Sequence, residues 1–418
     1  MTDFSKKNEQ IKLSGKLTRE RHHSMICKTL KFKINYNKLT KKQQNTLKMQ
    51  FVECKWIYNY ILSKFEDKFN IDYKLLTNIT HKDKQGNNVA VVISNIGSSV
   101  RQTLIQQIQT QIKSLSRLKS HGYNIGKLKY KSEWNCIELR QYGITHKINK
   151  NKVRIQGFDS WLPILGYKQL NAYANIEYAN AKLLYDGHDY YFSLTCYIQK
   201  ETSNQHINHI RGIDMGVSTT VTTSDGVKYD VMVEESERIK KLQRKLQRQV
   251  KGSNNHYKTK QKLKYAHIKL SNKRIDKANK IVHDLLKDCS VLIMQDEQIA
   301  GWKTDNKSDR NSKIQHSCLG TIKRKLMESP KVVMLERWYP TTKWCPVCGT
   351  KTELALSDRT FKCSKCHSTE DRDIHAAKNM ITIYKNYIDA SGTGGTVKPV
   401  KRIAFKENFL SSRKMQCL

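Results

Sequence analysis

At 418 residues the chain has room for two or three domains with cores of their own, and it contains no apolar run long enough to cross a bilayer as a helix. Lys and Arg number 76 against 37 Asp and Glu, a formal net charge of +39. Self-repulsion on that scale points to a polyanionic partner, nucleic acid first, because phosphates contacted by Lys and Arg release their counterions. The charge is spread along the whole chain, which fits a long groove better than a membrane anchor. The polar start MTDFSKKNEQ lacks a signal-peptide core. Seven of the eleven cysteines (Cys27, Cys54, Cys136, Cys196, Cys289, Cys318 and Cys417) have no framework spacing and read as reduced thiols, so a cytoplasmic protein is expected.

Residues 1–24 read as a basic, disordered arm. In ICKTLKFKINY, Leu30, Phe32, Ile34 and Tyr36 alternate with Lys31 and Lys33, a half-buried strand spanning 25–40. Thr40 with Gln43 forms a capping box, and Leu47, Phe51, Cys54, Ile57, Ile61 and Phe65 then recur at helical steps. Lys48, Lys55 and Lys64 lie on the opposite face. A second box, Ser99 with Gln102, opens a helix with Ile105, Ile108, Ile112 and Leu115 in register; Arg101 sits in its first turn. Residues 41–125 therefore read as a helical insert. From 126 to 206 short strands dominate, with a hairpin turn at Asp186-Gly187, and a small barrel joined by the strand near residue 30 is expected.

A new domain opens at 207 and runs to 342. Asp214 ends the first apolar run in HIRGIDMG and reads either as a turn residue beside Gly216 or as a strand carboxylate that is costly to bury without a partner cation, a metal being one remedy. Residues 234–288 read as a basic helical hairpin, broken by Gly252 to Asn255, with Lys240, Lys241, Arg244 and Arg248 facing outward to bind a nucleic-acid backbone. SVLIM is a buried-type strand ended by Gln295, Asp296 and Glu297; period-two alternation puts Gln295 and Glu297 on one face and Asp296 on the other. WKTDNKSDRNSKIQHS reads as a polar loop and KVVMLERWY as a strand.

Cys345/Cys348 and Cys363/Cys366 are two C-x-x-C pairs about 14 residues apart, the spacing of a four-cysteine zinc ribbon at 343–370. Asp371 and Asp373 then open a helical run, 371–390, and SGTGGTVKPV begins a flexible basic tail, 391–418. Asp214, Glu297 and Asp373 come from elements that suit a mixed α/β sheet. Converging there, they can hold two divalent cations, Mg2+ or Mn2+, for phosphodiester hydrolysis.

GIDMG, QDEQIAGW, YPTTKWCPVCG, FKCSKC and DRDIHAAKNM resemble the split RuvC nuclease and zinc ribbon of TnpB, a family of transposon-encoded RNA-guided DNA endonucleases related to type V CRISPR effectors. The resemblance is strongest over residues 207–387; KTLKFKINY and FVECKWIYNYIL resemble the family's first wedge strand and first recognition-lobe helix. It implies a multidomain α/β protein of prokaryotic cells: an RNase H-like RuvC core with an inserted zinc ribbon, and an N-terminal wedge β-barrel with an inserted helical recognition lobe. It implies Mg2+, Zn2+ and guide RNA as cofactors, a target double-stranded DNA with a short flanking motif, no membrane, and a monomer or homodimer. The nucleic-acid-binding candidates are Lys31, Lys33, Lys55, Arg101, Lys240, Lys241, Arg244, Arg248 and Lys343.

Two positions depart from the family pattern. Gln295 stands where the second catalytic glutamate is usual, and an amide cannot serve as an anionic ligand, so either Glu297 supplies the carboxylate or the nuclease is dead. His375 stands where the family has Asn and reads as a surface or outer-sphere histidine. The alternatives are a nuclease-dead RNA-guided repressor and a compact type V CRISPR effector. A transposase proper is disfavoured, since no His-hydrophobe-His motif with a tyrosine nucleophile is present.

Overall fold

The computed structural model describes residues 3–83, 86–199, 209–303, 308–355, 357–390 and 402–403. The linker SGTGGTVKPV and residues 404–418 lie outside the described residues. The chain divides into two units, 1–202 and 203–418.

The first unit opens with α1 (Asp3–Ser24), where the sequence suggested a disordered arm. The end of the helix is tied down by the unit's own sheet. Arg21 pairs with Glu177 at 2.7 Å, and the His22 ring stacks on Tyr197 with centroids 3.5 Å apart. β1 (Met25–Ile34) follows, with Leu30, Phe32 and Ile34 buried as its alternation requires. Next come α2 (Lys41–Lys64), β2 (Asn78–Lys82), β3 (Asn88–Val92) and α3 (Ser98–Ser120). The Thr40/Gln43 capping box is present in full. The Ser99/Gln102 box is not: α3 starts two residues earlier than that box requires, with Gly97 at its N-cap and no side-chain cap. The antiparallel β2–β3 hairpin also corrects the purely helical reading of residues 41–125.

Six short or medium strands complete the unit: β4 (Cys136–Leu139), β5 (His146–Asn149), β6 (Lys152–Ile155), β7 (Leu162–Leu165), β8 (Glu177–Tyr185) and β9 (Tyr190–Gln199). With β1 they form one nearly closed, barrel-like sheet in the order β4-β8-β9-β1-β7-β6-β5. The β8–β9 turn falls at Asp186-Gly187. Gly187 has φ of 100°, and the Asp186 carboxylate accepts from the backbone of His188 and Asp189 at 2.9 and 2.8 Å. In β9 every second side chain from Tyr190 to Ile198 is buried.

The second unit is a three-layer arrangement. Its sheet is built from β10 (Ile210–Asp214), β11 (Val221–Thr223) and β12 (Lys228–Tyr229), then β13 (Val291–Gln295), β14 (Val332–Leu335) and β17 (Arg402–Ile403), the last three numbered in chain order with the elements between them. Between β12 and β13 lie α4 (Glu237–Gln247) and α5 (Asn254–Lys287); α6 (Ser308–His316) and α7 (Leu319–Met327) precede β14. The zinc-type hairpin strands β15 (Thr360–Lys362) and β16 (Thr369–Asp371) and helix α8 (Arg372–Ala390) follow it. Strand order is β12-β11-β10-β13-β14-β17, with β10, β13, β14 and β17 mutually parallel, β11 antiparallel to β10, and β12 antiparallel to β11.

Two of these elements correct the sequence reading. α6 occupies part of the expected polar loop. β17 takes residues 402–403 out of the expected flexible tail, because Ile403 is buried against the sheet and Arg402 pairs with Asp296.

Strand alternation divides the core. Ile213, Leu292, Met294, Val332 and Met334 pack with Ala278, Ile281 and Leu285 of α5 and Leu319, Ile322 and Leu326 of α7. Ile293, Val333 and Leu335 face α8 through Met380, Ile383 and Tyr384. Gly212, one residue before Ile213, therefore faces α8. A Cβ on Gly212 would collide with the backbone carbonyl of Ala377. The pair Gly212/Ala377 lets α8 lie directly on β10, and this close approach brings the start of α8 beside the end of β10.

Candidate active site

The chemistry gathers where β10, β13 and α8 meet. A cleft with room for about 340 Å³ is lined by Asp214, Gln295, Glu297, Arg337, Tyr339, Pro340, Thr341, Thr342, Arg359, Arg372 and Asp373. All three acidic residues singled out in the sequence share it. Asp214 follows Gly212 on the α8 face of β10, and Asp373 lies one helical turn before Ala377. The two aspartates at the start of α8 divide the work. Asp371 is the cap: its carboxylate accepts from the backbone N–H of Asp373 at 3.0 Å and of Ile374 at 3.2 Å, and pairs with Lys228 at 2.7 Å. Asp373 is thereby released from capping and lines the cleft.

Glu297 reaches the cleft by a route different from the one its spacing suggests. β13 ends at Gln295, and the chain turns sharply, with the Glu297 N–H donating to the Gln295 carbonyl at 2.9 Å. Asp296 points away and pairs with Lys323 at 2.7 Å and with Arg402. Burial raises the Glu297 pKa, while Lys323, Arg337 and a hydrogen bond from Trp302 hold it down.

Gln295 is buried at 7 % exposure. Its Nε2 donates to the backbone carbonyls of Glu336, Arg337 and Tyr339 at 3.2, 3.0 and 2.8 Å, and its Oε1 accepts from Thr341 Oγ1 at 3.3 Å. A carboxylate at this position has no proton to give those carbonyls. The glutamine is thus a clamp on the loop that leaves β14, and this role could not be read from its neighbours in sequence.

Asp214 carries the electrostatic signature of the site. Burial, together with the charges of Asp373 and Glu297, pushes its pKa up to about 7; the Met215 N–H and Arg372 oppose the shift. Three acids lining one cleft offer oxygen donors of the kind that hard divalent cations take, but among the described residues only the four cysteines are gathered within metal-binding distance of one another.

The four ribbon cysteines bring their sulfur atoms within 4.8 Å of one another. Cys345–Cys366 and Cys348–Cys363 are each 3.5 Å apart, close to the roughly 3.8 Å edge of a tetrahedron with Zn–S bonds of 2.3 Å. Backbone N–H groups of Lys365 and Cys366 point at Cys363 Sγ at 3.4 and 3.5 Å. Hydrogen bonds with Thr350 and Ser368 lower the pKa of Cys348 and Cys366, as metal-ligating thiols require, whereas burial pushes Cys345 up to about 11. The donor set fits Zn2+.

The hairpin is anchored from beneath. His375 is buried, bonds the Trp344 carbonyl at 2.8 Å and stacks on Phe361 at 3.7 Å; Asn379 bonds the carbonyls of Thr341 and Trp344 at 2.7 and 2.6 Å. His375 is therefore neither a surface group nor part of the cleft lining. Arg359 reaches Ser218 at 3.0 Å, and Arg372 bonds the carbonyls of Ala355 and Asp358 at 3.2 and 3.1 Å.

The expected nucleic-acid contacts fall into two groups. Lys31 is exposed over the Tyr191 ring at 3.8 Å, Lys55 is half-buried, and Lys240, Lys241, Arg244 and Arg248 are exposed along α4 and its end. Others have partners within the fold: Lys33 pairs with Asp189 at 2.6 Å, Lys343 with Glu353, and Arg101 bonds Thr77; of the exposed group, Lys240 also pairs with Glu237 at 3.0 Å. The sequence reading missed the three arginines of the cleft, Arg337, Arg359 and Arg372. The signal available was their position in or beside the ribbon: Arg337 before it, Arg359 within it and Arg372 after it.

The site thus combines a mixed sheet, acids at or just beyond the ends of two strands and at the start of a helix, and a four-thiol hairpin beside them. Residues 193–303 match the family model described as "Probable transposase", and residues 321–380 match "Cas12f1-like, TNB domain". A Streptomyces pristinaespiralis protein named "Putative RNA-guided DNA endonuclease" is 28% identical over 198 residues, covering 45% of this chain and 48% of that protein. "Putative RNA-guided DNA endonuclease InsQ" of Escherichia coli (strain K12) is 27% identical over 192 residues, covering 41% and 48%. The chain spans about half the length of the curated relatives it matches. A solved Cas12f1–sgRNA–target DNA complex is similar over 85% of this chain and 99% of that one, at 13% identity and TM-score 0.42; CasPhi-2 (Cas12j) bound to crRNA covers 73% and 67%, at 11% identity and TM-score 0.32. The resemblance to TnpB read from the sequence is borne out by the family models and the curated relatives.

Proposed function

We propose that this chain is an RNA-guided DNA endonuclease that hydrolyses phosphodiester bonds in target DNA. The observation that carries the reading is the shared cleft of Asp214, Glu297 and Asp373, whose mutual repulsion divalent cations relieve. The mixed sheet of the second unit is the RuvC-type nuclease, and the barrel-like sheet with its helices is the wedge and recognition part. The two curated relatives are named as enzymes of this activity. Divalent cations bound by the three carboxylates would supply the activated water and neutralise the leaving 3′ oxygen. The chain's own residues do the rest. Asp214 and Asp373 hold the cation side of the cleft, Glu297 completes it, and Arg337, Arg359 and Arg372 offer guanidiniums to the phosphates of the bound strand. Zn2+ on the four cysteines fixes the hairpin that carries Arg359.

Guide RNA and target DNA account for the +39 charge. The basic hairpin α4–α5 is a backbone-binding face, and a short motif flanking the target is read by the protein itself. Among the described residues no helix is long and apolar enough to cross a membrane. Gln295 at the usual glutamate position raises the rival of a nuclease-dead, RNA-guided repressor. Its commitment to three carbonyls weakens that rival, because the position serves the loop while a carboxylate lies two residues on.

The test is to purify the ribonucleoprotein, sequence the RNA that accompanies it, and incubate it with a matching plasmid in Mg2+. Linear product supports the reading. Binding without cutting refutes the enzyme and leaves the repressor.

A further inference from the structure

The loop Glu336–Thr341, between β14 and the zinc-type hairpin, has features that the acids of the cleft do not explain. Its backbone is fixed from inside the protein by Gln295, and the Thr341 carbonyl is held again by Asn379. Two large side chains leave this rigid loop. Arg337 lines the cleft, and Trp338, next to it in the chain, is 70 % exposed. Tryptophan is highly buried on average, so a flat indole left in water on a clamped backbone needs a reason. The Arg337 guanidinium lies 5.7 Å from the centre of that ring. The cation thus lies over one face of the indole, the other face is open for stacking, and the arginine that carries the charge lines the acidic cleft.

A nucleotide presents the complementary pair: a π-face on its base and an anion on its phosphate. Only an unpaired nucleotide can offer both, because in a duplex the faces are covered by neighbouring bases. Mobile or merely structural tryptophans do not need a glutamine inside the protein bonding three carbonyls of their own loop. Preorganisation of that kind is what a grip on a flexible strand requires, since it removes the ordering cost from the protein side.

We propose that Trp338 and Arg337 form a one-nucleotide grip for the single strand entering the cleft, with the base stacked on the indole and its phosphate against the guanidinium. Trp338 is a positioning residue: it sets which phosphodiester reaches the acids. The proposal deepens the endonuclease reading and rests on it for the role of the cleft.

The experiment uses the full chain, with calcium in place of magnesium, and single-stranded DNA carrying 5-iodouracil at successive positions. After irradiation the cross-linked peptides are mapped by mass spectrometry. The grip predicts a cross-link at Trp338 that survives in Trp338→Phe and disappears in Trp338→Ala. In the guided plasmid assay Trp338→Ala slows cutting by about 5- to 100-fold, the loss of one base–aromatic stack, with guide-RNA affinity unchanged and Trp338→Phe largely restored. Cross-links confined to other residues, or full-rate cutting by Trp338→Ala, overturn the grip. The two readings separate cleanly. Cutting without a Trp338 cross-link removes the grip alone, whereas a Trp338 cross-link on a protein that cuts nothing keeps the grip and removes the endonuclease.

Discussion

Replacing Asp214 by asparagine should stabilise the second unit at alkaline pH while abolishing cutting. The native pKa of Asp214, about 7, lies above the ordinary value of 3.8. The folded protein therefore binds more protons than the unfolded chain between those values, so stability is complete below pH 4 and falls as pH rises towards 7. At 1.36 kcal/mol per unit, the raised pKa costs the native state up to about 4 kcal/mol at pH 8. The carboxylate has part of its surface open to the cleft, so about half of that is the working figure. Asparagine removes the charge and keeps the shape. For a unit of this size, about 2 kcal/mol corresponds to roughly 4–8 °C in Tm. Differential scanning calorimetry of the full chain without divalent cations should show that gain at pH 8 and almost none at pH 4. Adding Mg2+ at pH 8 should raise the wild-type transition and leave Asp214→Asn nearly unmoved. A variant equally stable at both pH values, or less stable at pH 8, would refute the crowded-acid description.

Other substitutions probe separate parts of the account. Gln295→Glu should lose cutting despite creating the usual carboxylate: it strands three loop carbonyls at about 1–3 kcal/mol each, and full activity with Glu297→Gln in the same chain would reverse the two roles. Cys345→Ser should release the bound zinc measured by mass spectrometry of the metal and make residues 343–370 exchange amide hydrogens rapidly, while the sheet stays protected. Gly212→Ala should destabilise the second unit by more than about 2 kcal/mol in urea unfolding, because its methyl meets the Ala377 carbonyl. Arg244→Ala with Arg248→Ala should weaken RNA binding uniformly across sequences and reduce the salt slope by about 2, read from affinity at several salt concentrations.

Legibility of the sequence depended on how local the cause was. The alternation in β1 and β9, the Thr40/Gln43 cap and the C-x-x-C pairs are set by residues within a few positions of each other, and they appear as read. The β2–β3 hairpin was missed because NITHK and NVAVV are short and flanked by polar residues inside a helical pattern. α1 and β17 read as disorder in the sequence because what orders them is distant: Glu177 and Tyr197 for the first, Asp296 and β14 for the second. In the cleft the acids were visible as residue types, but the reason Glu297 and not Gln295 offers a carboxylate was not. It lies in the carbonyls of residues 336–339, some forty positions along the chain. The pleat argument assumes a strand running through Glu297, whereas the strand stops at Gln295 and a tight turn carries Glu297 to the cleft lining.

The most direct measurement is anomalous diffraction from crystals of the protein soaked in MnCl2. The account predicts two manganese peaks about 3.5–4 Å apart, with oxygens of Asp214, Glu297 and Asp373 around them. A pair of peaks ligated without Glu297, or no peak in the cleft at saturating manganese, would contradict it.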